Sequence, residues 1–174
     1  MSEMIVEAYN PKWKDDFEEL KKMLLVGSNT ILHVEHTGST AIVGMLAKPI
    51  IDIIAVISEK ANFEQVENDL TKLGYKHCGN LGIIGREAFQ HNHKIPHHLY
   101  VCREKAPELR RQLLFRDYLN THPETRNEYQ TIKEAILAKV GSDNRAGYVE
   151  MKATNYQHFF DKVLKLAKAE FNQN

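Results

Sequence analysis

Two stretches of this 174-residue chain carry residue types that can do chemistry together. The first is His36-Thr37-Gly38-Ser39-Thr40, a glycine turn crowded with hydroxyls. Where a strand ends in such a turn and runs toward a helix, backbone N–H groups and hydroxyls form a cradle for phosphate oxygens. A Gly-Ser pair also serves simply as a turn. The second stretch is Pro49 to Ile57, an apolar run interrupted only by Asp52. Burying a lone carboxylate is costly unless it is paired, hydrogen-bonded, metal-bound or turned into a cleft. Asp52 is therefore either a structural group bonded to a backbone N–H or Lys48, or part of a site. Thirteen positions separate Ser39 from Asp52, enough for a connecting segment and a return strand that bring turn and carboxylate to one end of neighbouring strands. A phosphate cradle beside a carboxylate suited to a divalent ion is the minimum equipment for nucleotide chemistry.

Other polar residues compete for roles. His91, His93, His97 and His98 lie within eight residues. In a strand, His91 and His93 would share a face, and a third imidazole from the partner strand would complete a zinc site with an open position for water. The alternative is a hairpin with solvated histidines. His98 heads an apolar strand and can point toward Asp52 as general base, metal ligand or ligand-binding donor, or pair with it structurally. Glu35 and His36 precede the turn, and strand alternation sends one of them to the cleft. Lys48 and Arg86 are the cations placed near a triphosphate, against the reading of ordinary surface charges. Arg110, Arg111, Arg116, Lys133 and Arg145 read as solvated helix charges, with a cleft for an RNA or nucleotide tail as the alternative. They are not read as a stacking platform for single strands. Ser142-Asp143-Asn144 reads as a helix cap.

The elements that must hold these groups are legible in the periodicity. Ile5 to Tyr9 reads as an edge strand. Asn10 and Pro11 start a helix whose Trp13, Phe17, Leu20 and Leu24 form one apolar face, ended at Gly27-Ser28-Asn29. Ile31 to Glu35 alternates as a strand, and Pro49 to Ile57 reads as a central strand, apolar on both faces. Residues 61–73 form a helix with Gly74 as C-cap. Tyr75 to Cys78 is a strand; Arg86 to Gln90 and His97 to Cys102 form a pair around a Lys94-Ile95-Pro96 turn. The last third is helical: Pro107 to Leu119, a second helix to Val140, and a long last helix with Tyr148, Met151, Phe159, Val163 and Leu166 on one face. This is an α+β plan: a mixed sheet core over 1–104 flanked by helices, with a C-terminal helical set over 105–174, in a single domain spanning 1–174.

Composition narrows the class. Lys plus Arg and Asp plus Glu number 23 each, a formal net charge of zero, which argues against nucleic-acid binding by bulk charge. Cys78 and Cys102 have no metal-ligand spacing and read as reduced thiols. No apolar run approaches the roughly 18 residues of a membrane span, and the N-terminus has no signal-peptide pattern. The expectation is a cytoplasmic protein with no membrane partner.

The residues His36-Thr37-Gly38-Ser39-Thr40, Gly44, Ala47 to Asp52, Gly85-Arg86, His97 to Val101 and Arg116 to Leu119 resemble the landmarks of the GrpB family. Asn10-Pro11-Lys12-Trp13, Tyr148 and Lys152 agree with it, so the resemblance covers nearly the whole chain. That family is similar to the polymerase-β-like nucleotidyltransferases, whose pattern is a Gly-Ser turn, an Asp-x-Asp strand and a third carboxylate on a later strand. The resemblance implies a nucleotidyltransferase-like fold. By the resemblance Gly38 and Ser39 match the nucleotide-binding turn and Asp52 the first metal-binding carboxylate. The expected site takes a nucleotide or phosphorylated small molecule at Gly38, Ser39 and Thr40 with Lys48 and Arg86, and Mg²⁺ at Asp52 and His98, which would take part in catalysis. The second carboxylate position falls on Ile54, and no Asp or Glu lies between His97 and Val101. Three functions follow from different classes: metal-dependent nucleotidyl transfer; a non-catalytic ligand-binding or accessory domain that lost the second carboxylate; and a zinc-dependent hydrolase using the His91–His98 cluster.

Overall fold

The computed structural model describes residues 6–140, 146, 147, 150, 151, 154 and 156–171. Helix α1 (Lys12–Gly27) begins where Asn10 Oδ1 accepts the Lys12 N–H at 3.0 Å, and Pro11 supplies a helical φ. Strands β1 (Ile31–Thr37) and β2 (Ile51–Ile57) follow. Helix α2 (Phe63–Lys72) is capped by the Asn62 side chain on Glu64 N–H at 3.0 Å. Strands β3 (Lys76–His77), β4 (Arg86–Gln90) and β5 (His97–Arg103) complete the sheet. Then come α3 (Pro107–Thr121), α4 (Pro123–Val140) and α5 (Gln157–Phe171).

The sheet is mixed, in the order β1-β2-β5-β4-β3, with β2 and β5 parallel and the other neighbours antiparallel. The α+β expectation therefore holds, and β2 is flanked on both sides as its apolar sequence requires. Alternation along β2 divides the interior. Ile51, Ile53, Ala55 and Ile57 pack with Phe17, Leu20 and Leu24 of α1 and Val66 and Leu70 of α2. Ile54 and Val56 face the other way, onto Cys102, Ala106 and Leu109. Asp52 shares that second face.

A separate apolar cluster joins α3, α4 and α5 through Phe115, Leu119, Tyr129, Phe159 and Val163, and it takes in Ile42 and Met45 from the segment after the Gly-Ser turn. Both are fully buried, worth about 1.5–3 kcal/mol each. The loop carrying the turn is thereby anchored in the helical layer.

Several boundaries differ from the sequence reading. The segment before α1 makes an isolated bridge between Glu7 and Ala47 rather than a strand. β2 starts after Pro49, which has no N–H to donate to a ladder. The last helix buries Phe159 and Val163 with Ala167, whereas Leu166 is exposed at 41%. Tyr148, Lys152, Arg145 and Ser142-Asp143-Asn144 lie outside the described residues. Cys78 and Cys102 are free, and burial pushes the Cys102 thiol up to about 12. Among the described residues no helix is long and apolar enough to cross a membrane.

Candidate functional site

Register fixes the first row of the site. Thr37 pairs with Asp52 across β1 and β2, and Asp52 pairs with His98 across β2 and β5. Paired residues share a face, so the three side chains stand side by side. His98 Nδ1 donates to Asp52 Oδ1 at 3.0 Å, and its side chain is 46% exposed at the rim. In the next row Ile54 lies between Glu35 of β1 and Tyr100 of β5.

Chain direction reverses immediately after Thr37. Gly38 has φ 69° and ψ −173°, a region that is essentially glycine-only. A Cβ there would lie under 3 Å from Asp52 Oδ2. Conformation and proximity both demand glycine, which brings the turn backbone directly against the carboxylate. A short 3₁₀ turn, Ser39–Ala41, follows.

Side chains from the C-terminal helices hold the irregular segment beyond it. Asn120 of α3 accepts from Val43 N–H and donates to Ala41 C=O, each at 3.0 Å. From α4, Arg126 donates to Val43 C=O at 2.9 Å, and Lys133 Nζ donates to Leu46 C=O at 2.9 Å and to Ser39 Oγ at 2.8 Å. Non-repetitive backbone needs such partners once it is covered. Lys133 is buried at 6%, so it is not the solvated helix charge expected from sequence. It fixes the hydroxyl of Ser39 from behind. Burial pushes the Tyr129 phenol up to about 12, with the Ser39 side chain pulling the other way.

The turn opens on a cleft of about 550 Å³, in the size range of pockets that hold one small ligand. Its floor is Asp52, Ile54 and Tyr100; its far wall, from α3, α4 and α5, includes Phe115, Tyr129 and Phe160. Arg86 and Arg111 are its cations, and Asp52 is the one carboxylate lining it among the described residues. Arg111 is held by Glu108 through two bonds, Nε–Oε2 at 2.8 Å and Nη2–Oε1 at 2.9 Å. Arg86 lies over the Tyr100 ring, 4.1 Å from its centroid. Its Nε is buried with no hydrogen-bond partner, which costs about 1–3 kcal/mol for as long as no acceptor meets it.

The structure thus brings together Gly38, Ser39, Asp52 and Arg86, with His98 at the rim. It does not bring the side chains of Thr40 and Lys48 to the cleft lining: Thr40 is buried and bonds His36 Nε2 through its hydroxyl at 2.9 Å. Glu35 does lie on the cleft face, but Arg116 holds it at 2.7 Å while also donating to His36 C=O at 2.9 Å. Two-metal chemistry does not fit this donor set, because Ile54 and Tyr100 flank Asp52 where further carboxylates would be needed.

His36 points to the opposite face and stacks on Phe17, with ring centroids 4.7 Å apart. Burial lowers it to about 4, outweighing the attraction of Asp52, and Arg116 pushes the same way as burial. The unfolded imidazole takes up a proton near 6.5. Between those values the unfolded chain binds more protons, so stability is full above about 6.5 and falls as pH drops toward 4, by on the order of 2–3 kcal/mol. Burial lowers His97 as well and adds to this slope. Urea midpoints measured across this window should fall more steeply for the wild type than for His36→Phe; equal slopes would remove His36 from the account.

The zinc arrangement is not what the other histidines build. β4 ends at Gln90, so His91 and His93 lie in the loop after it rather than on one strand face. His91 Nε2 donates to Leu73 C=O at 2.8 Å, and His93 Nδ1 accepts from Ile95 N–H at 3.1 Å. His97 faces the α1–α2 side, donating from Nδ1 to Ile95 C=O at 2.8 Å and meeting the Tyr75 hydroxyl at 2.7 Å through Nε2. Among the described residues no three His, Cys, Asp or Glu side chains converge to hold a metal ion.

Comparisons with known proteins show the family and the fold. A family model described as GrpB protein matches residues 3–165. The UPF0157 protein YqkA of Bacillus subtilis is 38% identical over 133 residues, which are 75% of this chain and 39% of that protein. The glutamate-rich protein GrpB of Alkalihalophilus pseudofirmus is 31% identical over 170 residues, 93% of this chain and 94% of that protein. Thus the chain spans well under half of the first relative and nearly all of the second. The crystal structure of a conserved protein GrpB from Enterococcus faecalis superposes with a TM-score of 0.78 at 31% identity, covering 92% of this chain and 98% of that one. A Cid1 poly(U) polymerase mutant bound to MgATP superposes with a TM-score of 0.54 at 11% identity, over 80% of this chain and 46% of that chain. At that identity the likeness is one of fold: the sheet is nucleotidyltransferase-like.

Proposed function

The chain belongs to the GrpB family, and from that premise we propose that it binds a nucleotide or other phosphorylated small molecule in the cleft beside the Gly38-Ser39 turn. One observation carries the reading: Lys133 Nζ holds Ser39 Oγ at 2.8 Å, at the edge of a cleft whose lining cations are Arg86 and Arg111. A hydroxyl already oriented by a buried ammonium can turn its own proton to an anionic oxygen, and the turn's N–H groups add to the cradle. The aromatic wall of Phe115, Tyr129 and Phe160 suits the flat, apolar part of such a ligand.

A second reading, nucleotidyl transfer, rests on the Asp52–His98 pair at 3.0 Å. Were Mg²⁺ to take part, Asp52 and His98 are the side chains that would hold it, and the ion would supply charge neutralisation at the phosphates. His98 would then orient Asp52, and Ser39 would position the phosphate. The likeness to Cid1, a poly(U) polymerase by name, supports this reading through ancestry. The neutral net charge speaks for a small ligand over an RNA held by bulk charge.

Thermal melts with each of the common nucleoside triphosphates, and with inorganic pyrophosphate, test the binding reading. At ligand concentrations about a hundredfold above the dissociation constant, the melting temperature should rise by about 5–10 °C, and Ser39→Ala should remove most of the rise. A flat response to every one of these probes would overturn the proposal.

A further inference from the structure

We infer that the ligand of this cleft is bound without a metal ion, with the Arg86 guanidinium supplying the positive charge; this rests on the binding reading above. Arg86 pairs with Cys102 across β4 and β5 and so projects on the cleft face, with its guanidinium carbon over the Tyr100 ring, 4.1 Å from the centroid. That cation–π contact restricts where its donor fork can swing. Nε is buried without a partner, and Arg86 forms no ion pair with any described residue. Arg111, the other cation of the cleft, is neutralised by the nearly buried Glu108.

The acidic side of the balance is short. Glu35 is held by Arg116, Ile54 fills the next position on β2, and Asp52, the one carboxylate lining the cleft among the described residues, already accepts from His98. A divalent cation entering here would meet one carboxylate opposed by a fixed guanidinium that cannot lose its proton. An anion meets the reverse. The buried, unsatisfied Nε is answered by a phosphate or phosphate ester oxygen, which accepts from a guanidinium through paired bonds. The chemical class is therefore a phosphate monoester or polyphosphate, with Asp52 as the group that repels it.

Calorimetric titration of the whole chain with ATP and with inorganic pyrophosphate, in EDTA and in excess Mg²⁺, tests this directly. Binding in EDTA should equal or exceed that in Mg²⁺. Arg86→Gln should weaken it by about 10- to 100-fold in both buffers, while Asp52→Asn, which removes the charge that repels the ligand, should tighten it. Arg86→Lys, which keeps the charge and loses the planar fork, should also weaken binding, and it carries the test if Arg86→Gln does not fold. Binding that requires Mg²⁺ and is lost in Asp52→Asn, or that is indifferent to Arg86→Gln, would overturn the inference and leave the ligand-binding function standing. Absence of binding in both buffers would instead overturn that function, and this inference with it.

Discussion

Replacing Gly38 with alanine is expected to cost about 2–4 kcal/mol of stability and to disable the cleft in the same step. At φ 69° and ψ −173° the backbone is in a region that L side chains scarcely enter, worth about 1–3 kcal/mol by itself. The new methyl would also overlap Asp52 Oδ2, and Asp52 Cβ, at 3.1 Å, leaves little room for the carboxylate to retreat. Either the turn swings away from β2 or Asp52 leaves His98. The melting temperature should fall by about 5–15 °C. Two controls separate the causes. Gly79 has φ 73°, but a methyl group there would meet nothing within 4 Å, so Gly79→Ala should pay the backbone strain alone. Asp52→Ala should recover part of the Gly38→Ala loss in the double variant. A Gly38→Ala protein that melts with the wild type would contradict the placement of the turn.

Lys133→Met is the other large effect. Methionine keeps much of the apolar stem but removes the donor to Ser39 Oγ and Leu46 C=O, and the ammonium 5.3 Å from the Tyr129 ring centroid. Charge-assisted bonds of this kind contribute about 1.5–3 kcal/mol each, and a carbonyl left without its donor adds a desolvation cost. A net loss of about 2–4 kcal/mol is expected, read as a lower urea midpoint. Ligand affinity should fall about tenfold or more, because Ser39 loses the contact that orients its hydroxyl. The two readouts need not move together. A Met variant with wild-type stability and wild-type ligand response would show that α4 does not position the turn.

How much of this was legible in the sequence depends on which side of the cleft is considered. The floor was: an aspartate in an Ile/Val strand is conspicuous because burial without a partner is costly, and Gly-Ser thirteen positions earlier marks a turn that can reach it. Thr37, Asp52 and His98 then fall into one row through strand register alone. The far wall was not. Arg111, Phe115, Tyr129 and Phe160 come from three helices, and helix periodicity says which face is apolar, not which sheet end it covers. Lys133 did leave a signal. It stands four residues after Tyr129 and three before Ile136, both 3% exposed, on the same helical stripe, and a lysine on an apolar stripe is rarely solvated. The histidine cluster misled for the opposite reason: His91 and His93 have strand-like spacing, but the strand stops at Gln90 and alternation does not apply beyond it. Thr40 misled because a 3₁₀ turn sends successive side chains in different directions, and this one goes to His36.

Whether the Gly38-Ser39 turn and Arg86 receive a phosphorylated ligand is decided by an NMR titration of the isotope-labelled chain with ATP. A ligand seated there should give saturable shifts concentrated at the Gly38 and Ser39 amides and at the Arg86 guanidinium, present in EDTA as well as in Mg²⁺. Saturable shifts that spare these three residues, or none at all, would contradict that seating.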